Sequence, residues 1–160
     1  MAKESSICPE DIASIIEISQ TLYRGFRYTD EKNWDARVTY FTDELTIDFG
    51  GVKPSQTIAA SALIDWARLA YALVETQHMS FNLDVQLDGD RATSFSYGHA
   101  RHQRIDSGDF WHIYARYEHE YVRTEDGWKI ARIKMTPVFQ EGNPRLLEES
   151  FAVASESCGS

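Results

Sequence analysis

Cysteine is scarce: the 160 residues include only 2, Cys8 and Cys158, one near each end and with no CxxC spacing. No disulfide framework or cysteine-built metal site is expected, and a reducing, cytoplasmic setting is the default. Basic charge is short too, with 16 Lys and Arg against 25 Asp and Glu and a net charge of -9. Nucleic acid and anionic membrane surfaces demand a positive footprint, so neither is expected as a partner. An uncharged or hydrophobic small molecule suits the balance better. No apolar run is long enough to span a bilayer, no leader pattern opens the chain, and no internal repeat is evident. The chain reads as one domain over residues 1–160, with loose ends at about 1–7 and 152–160.

Helical patterning dominates the first half. CPEDIASIIEISQTLYRGF carries Pro9 at its first turn and Ile12, Ile15, Ile16, Leu22, Tyr23 and Phe26 on what reads as its core side. TDEKNWDARVTYF spaces Trp34, Val38 and Phe41 helically behind Asp30, a good cap, and ELTIDFGG reads as a short strand. A third helix is expected from Ser55 to about Val74. The second half changes period. Four runs rich in aromatic and β-branched residues, at about 77–87, 91–104, 109–123 and 127–139, are separated by LDGD, DSGD and EDG. Helices first and a strand meander afterwards predict an α+β fold, a cone-shaped curved antiparallel sheet with the N-terminal helices on its concave face.

Within the first of these strands, Met79, Phe81, Leu83 and Val85 alternate against His78, Ser80, Asn82 and Asp84, so His78 faces away from the apolar strip. A three-residue loop at Asp88–Asp90 would pair His78 with Ala100 and place His102 one diagonal step away. A bulge or a two-residue loop would break that register. A Ser107–Gly108 turn would set Ala100 against Ala115 and Gly98 against Tyr117. The cavity face then holds Ser96, Gly98, Ala100 and His102 beside Trp111, Ile113, Ala115 and Tyr117. Small residues leave space there and aromatic ones bound it. The spacing His99-x-x-His102 does not make a zinc pair, because residues three apart on a strand face opposite sides.

YTDEKNWDARVTYFTDELTIDF, TQHMSFN and ARHQR resemble the corresponding parts of the scytalone dehydratases, in the SnoaL-like branch of the nuclear transport factor 2-like superfamily. The likeness covers about residues 10 to 150 in element order, and the chain is similar, less closely, to lindane dehydrochlorinase. The resemblance implies a cone-shaped α+β barrel, no cofactor and no metal, and elimination by an Asp–His dyad. It carries the dyad aspartate onto Asp30, the dyad histidine onto His78 and the second pocket histidine onto His102. Two tyrosines that hold a water in that family fall on Thr29 and Phe49, and its serine and asparagine contacts fall on Ala115 and Tyr117, so this pocket reads as drier.

Histidine can accept and return a proton near neutral pH, and a carboxylate fixes its tautomer. In that chemistry His78 removes a proton α to a carbonyl, Asp30 orients it, and His102 bonds the carbonyl or protonates a departing hydroxyl. Tyr28, Phe49, Trp66, Ile113 and Tyr117, with Met79 doubtful by alternation, are the expected substrate-binding lining. Three alternatives stay open: Asp30 as a mere helix cap, an isomerase or cyclase using the same shuttle, and a non-catalytic binding or assembly module. The substrate class implied is a small cyclic polyketide- or terpenoid-like metabolite. The strip Met79, Phe81, Leu83 and Val85 predicts a homo-oligomer, dimer or trimer.

Overall fold

The computed structural model describes residues 8–50 and 54–158. Helix α1 (Pro9–Asp30) starts where Pro9 forgoes an N–H that would have no partner anyway, and Asp11 accepts from the Cys8 backbone N–H at 3.1 Å. Its buried stripe is Ser14, Ile18, Thr21, Leu22 and Gly25, whereas Ile12, Ile16 and Tyr23 are exposed. The core face is thus rotated from the apolar positions expected: the Thr21 hydroxyl donates to the Trp128 carbonyl of the sheet at 3.3 Å, and Gly25 lies against Arg37. The helix also runs on to Asp30, which therefore ends α1 and caps nothing. Asn33 caps α2 (Trp34–Val38), accepting from the Ala36 N–H at 3.2 Å.

Strand β1 (Phe41–Asp48) follows. The segment expected to begin a third helix instead opens with β2 (Gln56–Ala59), antiparallel to β1, where the Thr46 and Thr57 hydroxyls meet at 3.0 Å. β-branched Thr57 and Ile58 satisfy an otherwise free strand edge, and α3 is shortened to Ala60–Ala70. Strands β3 (Val74–Asp88), β4 (Arg91–Arg104), β5 (Phe110–Thr124) and β6 (Gly127–Gly142) complete a curved sheet ordered β2-β1-β6-β5-β4-β3. The sheet is not closed, and its β1–β6 pair is parallel rather than antiparallel. A last helix, α4 (Leu146–Cys158), occupies most of the stretch expected to be loose from about 152, with Leu146 and Ala154 buried. The remaining loose-end positions, 1–7 and 159–160, lie outside the described residues.

The core fills the helix-covered face of the sheet with Ile18, Trp34, Phe41, Leu45, Ile64, Ile113, Tyr121, Trp128 and Ile130. The opposite face carries the ion pairs Glu118–Lys134 at 2.8 Å and Glu120–Arg132 at 2.9 Å.

The β3–β4 register comes about by two cancelling departures. The turn is a two-residue one, with Asp88 opposite Arg91, and a bulge between Phe81 and Asp84 then shifts the ladder so that His78 still faces Ala100. Asn82 forms the bulge with φ of 52°. One consequence is that Val85 and Leu87 turn into the core and leave the outer strip. The β4–β5 register differs from expectation by two, with Ala100 opposite Ile113, Gly98 opposite Ala115 and Ser96 opposite Tyr117. An even shift keeps every side chain on its expected face.

Asn82 tolerates the left-handed region where β-branched residues do not. Asn82→Val should therefore lower stability by about 1–2 kcal/mol and Asn82→Gly should be close to neutral. Urea unfolding of the two variants checks this, and equal stabilities would show that the bulge is not held by this backbone conformation.

Candidate functional site

The end of α1 meets the edge strand β3 through one carboxylate. Asp30 accepts from the Thr76 hydroxyl at 2.8 Å, from the His78 backbone N–H at 2.9 Å and from His78 Nδ1 at 2.6 Å. With Asp30 as a carboxylate acceptor, the hydrogen of this bond lies on Nδ1, and in the neutral ring Nε2 then carries the lone pair. Both side chains are largely enclosed, at 10% exposure for His78 and 22% for Asp30. Phe26, four residues before Asp30 and so on the same helical face, stacks on the His78 ring at 5.5 Å.

His102 stands edge-on to His78, with ring centroids 5.5 Å apart. It pairs across the sheet with Thr76 and Trp111, stacks on the Trp111 ring at 4.9 Å and directs Nδ1 to the Trp111 carbonyl at 3.1 Å. That carbonyl fixes the neutral tautomer with hydrogen on Nδ1, so Nε2 is an acceptor. Burial first, and the neighbouring His78 second, push the His102 pKa down to about 3. His102 is therefore neutral at neutral pH and is not an acid from its Nε2.

Of the residues expected to line the site, Ile113 is buried beside Ala100 in the row that begins with His78. Tyr117 is buried, meets Phe26 at 5.8 Å and lies against Gly98, where a Cβ would collide with its ring. Burial pushes its phenol up to about 12. Tyr28 instead packs on Tyr40 at 5.8 Å, Phe49 is 45% exposed past the end of β1, and Trp66 turns to Phe151 of α4 at 6.4 Å. Trp66 could not have been placed from sequence while α4 was read as a loose end. Met79 pairs with His99, on the face away from His78.

Residues not singled out from sequence also surround the dyad. Thr76 sits two residues before His78 and so on the same strand face, which is the signal that would have found it. Tyr71 stands 6.0 Å from His102 and contacts Trp34. Two hollows lie elsewhere: about 280 Å³ among Phe95, Glu118, Glu120, Arg132 and Lys134, and about 560 Å³ beside Tyr114, Val138 and Phe139. Both are on the helix-free side of the sheet. Among the described residues no three His, Cys, Asp or Glu side chains cluster as a metal set.

The sequence profile of the SnoaL-like domain matches residues 10–134. An uncharacterized protein of Mycobacterium tuberculosis is 27% identical over 147 residues, covering 86% of this chain and 94% of its own length. The crystal structure of the Kfla4162 protein of Kribbella flavida superposes with a TM-score of 0.79 at 30% identity, covering 86% of this chain and 98% of that one. A type 2 hexachlorocyclohexane dehydrochlorinase shares the fold at a TM-score of 0.71 and 17% identity, covering 82% of this chain and 90% of that one.

The neutral histidines set a pH dependence. His102 and His119 are both buried and both pushed down to about 3, His119 by burial and then by the cation of Arg37. Unfolding frees them to bind protons at an ordinary pKa of about 6.5, so the unfolded chain binds more protons between about pH 6.5 and 3. Stability should thus fall as pH drops through that window, each histidine contributing a slope of up to about 1.4 kcal/mol per pH unit. Urea unfolding of wild type and His119→Gln between pH 7 and 4 checks this, and identical slopes for the two would show that His119 does not titrate on unfolding.

Proposed function

The chain belongs to the SnoaL-like domain family, and from that premise we propose that it is a cofactor-independent lyase that eliminates water from a small cyclic polyketide- or terpenoid-like metabolite. One observation carries the reading: a carboxylate bonded to His78 Nδ1 at 2.6 Å leaves Nε2 as a base inside a rim of Phe26, Tyr71, Trp111 and Tyr117 rings, with a second, neutral imidazole opposite. A helix-capping or assembly role for Asp30 would not require this bond. The dehydrochlorinase that shares the fold is named for an elimination, which supports the reaction class.

In the proposed reaction His78 Nε2 takes a proton from the carbon α to a carbonyl. The imidazolium that forms is compensated by Asp30, and the C–H electron pair moves into the new double bond as the β-hydroxyl leaves. His78 then returns its proton to that hydroxyl, so water departs and the ring is neutral again. His102 Nε2, an acceptor, holds the hydroxyl by its own O–H. Its part in this reading is therefore orientation of the leaving group, in place of the bond to the carbonyl or the proton donation expected from the sequence. The same shuttle with no leaving group would isomerise or cyclise, and this is the runner-up.

Two experiments test the reading together. Metabolites of a strain lacking this protein should show an accumulated hydroxylated precursor, which the purified protein then dehydrates. With that substrate, His78→Ala should lower turnover by about 10²–10⁴-fold, and Asp30→Asn should slow it through a misoriented or wrong-tautomer ring while the fold is retained. Wild-type turnover in Asp30→Asn would remove the dyad, and a rearranged product of unchanged mass would move the protein to the isomerases.

We also infer that copies of the chain associate through the helix-free face of the sheet. There Met79 and Phe81 are joined across the ladders by Tyr97, Tyr114 and Phe139, the last 69% exposed. A contiguous apolar strip of this kind marks an interface. Sedimentation at micromolar concentration should show a dimer or trimer that Tyr114→Arg dissociates, and a monomeric wild type would exclude the interface.

A further inference from the structure

Arg37, at the end of α2, is 8% exposed, yet among the described residues it has no ion-pair partner and its Nη1 has no hydrogen-bond partner. Its guanidinium lies over the Phe41 ring at 4.1 Å and against Gly25 of α1, where a Cβ would stand 2.5 Å from Nη1. Gly25 is thus the position that admits the guanidinium to the interior. Burial lowers its pKa only to about 10, so it enters as a cation at neutral pH. A stacked ring satisfies the face of a guanidinium and leaves its N–H edge without an acceptor.

A buried, uncompensated cation is strongly unfavourable, and its retention calls for an anion that the described residues do not supply. Tyr71, Tyr121 and His119 stand within electrostatic reach of it, and burial pushes both phenols up and the imidazole down, so none of the three supplies a negative charge at neutral pH. Tyr71 stands between this cation and the dyad, its ring 5.8 Å from that of Trp34 in α2, the helix that carries Arg37, and 6.0 Å from that of His102.

We propose that Arg37 is the anion-binding residue of the substrate site, and that the metabolite carries a delocalised oxyanion, a carboxylate or an enolised dicarbonyl, held bidentately by the guanidinium while its reacting carbon lies at His78. This rests on the reading of the helix-covered interior as the substrate site, and it narrows the substrate class to acidic metabolites. Guanidinium and carboxylate match in a planar, two-bond geometry that an ammonium does not reproduce.

Benzoate and its uncharged counterpart benzyl alcohol are the probes, titrated into the full chain while the Arg37 side-chain Nε–H and the His78 and His102 ring signals are followed by NMR. Wild type should bind benzoate at least about tenfold more tightly than benzyl alcohol, with the Arg37 signal moving. Arg37→Met should lose that preference while keeping its benzyl alcohol affinity, and Arg37→Lys should keep part of it. Equal affinities for the two probes in wild type, no benzoate binding at all, or an unmoved Arg37 signal would each overturn the proposal, the last showing a guanidinium satisfied by water alone. These wild-type arms decide the matter even where Arg37→Met fails to fold. A benzoate preference that persists in His78→Ala, in a protein whose dyad proves inert, would separate failure of the elimination reading from failure of the anion site.

Discussion

Asp30 sits at the C-terminal end of a long helix, where the helix dipole is negative and a carboxylate is unwelcome. Three donors from β3 hold it there: the Thr76 hydroxyl and the backbone and ring N–H groups of His78. The backbone bond covers part of the free edge of β3, and the ring bond fixes a tautomer. One side chain thereby docks α1 on the sheet, protects an edge strand and orients an imidazole. Each of these depends on His78 pointing to the helix-covered face, and so on the β3 register.

That register shows how far the sequence could be read. Alternation along TQHMSFN placed His78 opposite the apolar strip, and the structure agrees, with His78 facing Ala100 and His102 on the same side. The turn expected to produce this pairing does not occur. A two-residue turn moves the ladder one way and the bulge at Asn82 moves it back. Nothing in local propensity identifies the bulge, because Asn is also an ordinary residue of the polar side. The β4–β5 ladder erred by two positions, which preserves faces, so the inner list of small and aromatic residues survived an incorrect turn.

What escaped sequence reading is what tertiary packing decides. The 152–160 stretch is small and polar, yet α4 forms because Leu146 and Ala154 find a buried surface and Phe151 stacks on Trp66. The same helix draws Trp66 away from the site. β2 exists because β1 offers an edge, whereas its four residues alone look like a helix approach. Asp30 resembled the cap of α2 by residue type and position, but α1 continues one turn further and Asn33 does the capping. Arg37 was not singled out in the sequence at all, because its burial depends on the absent side chain of Gly25, twelve residues earlier.

The interior that results distributes charge unevenly among like side chains. His102 and His119 are buried without a carboxylate and are kept neutral, the first by its carbonyl-bound tautomer as well as by desolvation, the second also by the nearby Arg37 cation. Only His78 has an anion on its Nδ1, so it alone of these three has a compensated place for a second proton. A proton taken up in this space is therefore directed to one ring, and the neighbouring imidazole remains an acceptor instead of competing for it. Asp30 and Arg37 are not paired with each other. Asp30 is occupied by β3, and the buried Nη1 of Arg37 is without an acceptor among the described residues. The fold thus keeps its carboxylate-bonded histidine and its buried guanidinium apart, each held by a different part of the chain: His78 on the edge strand β3 and Arg37 between α1 and the Phe41 ring.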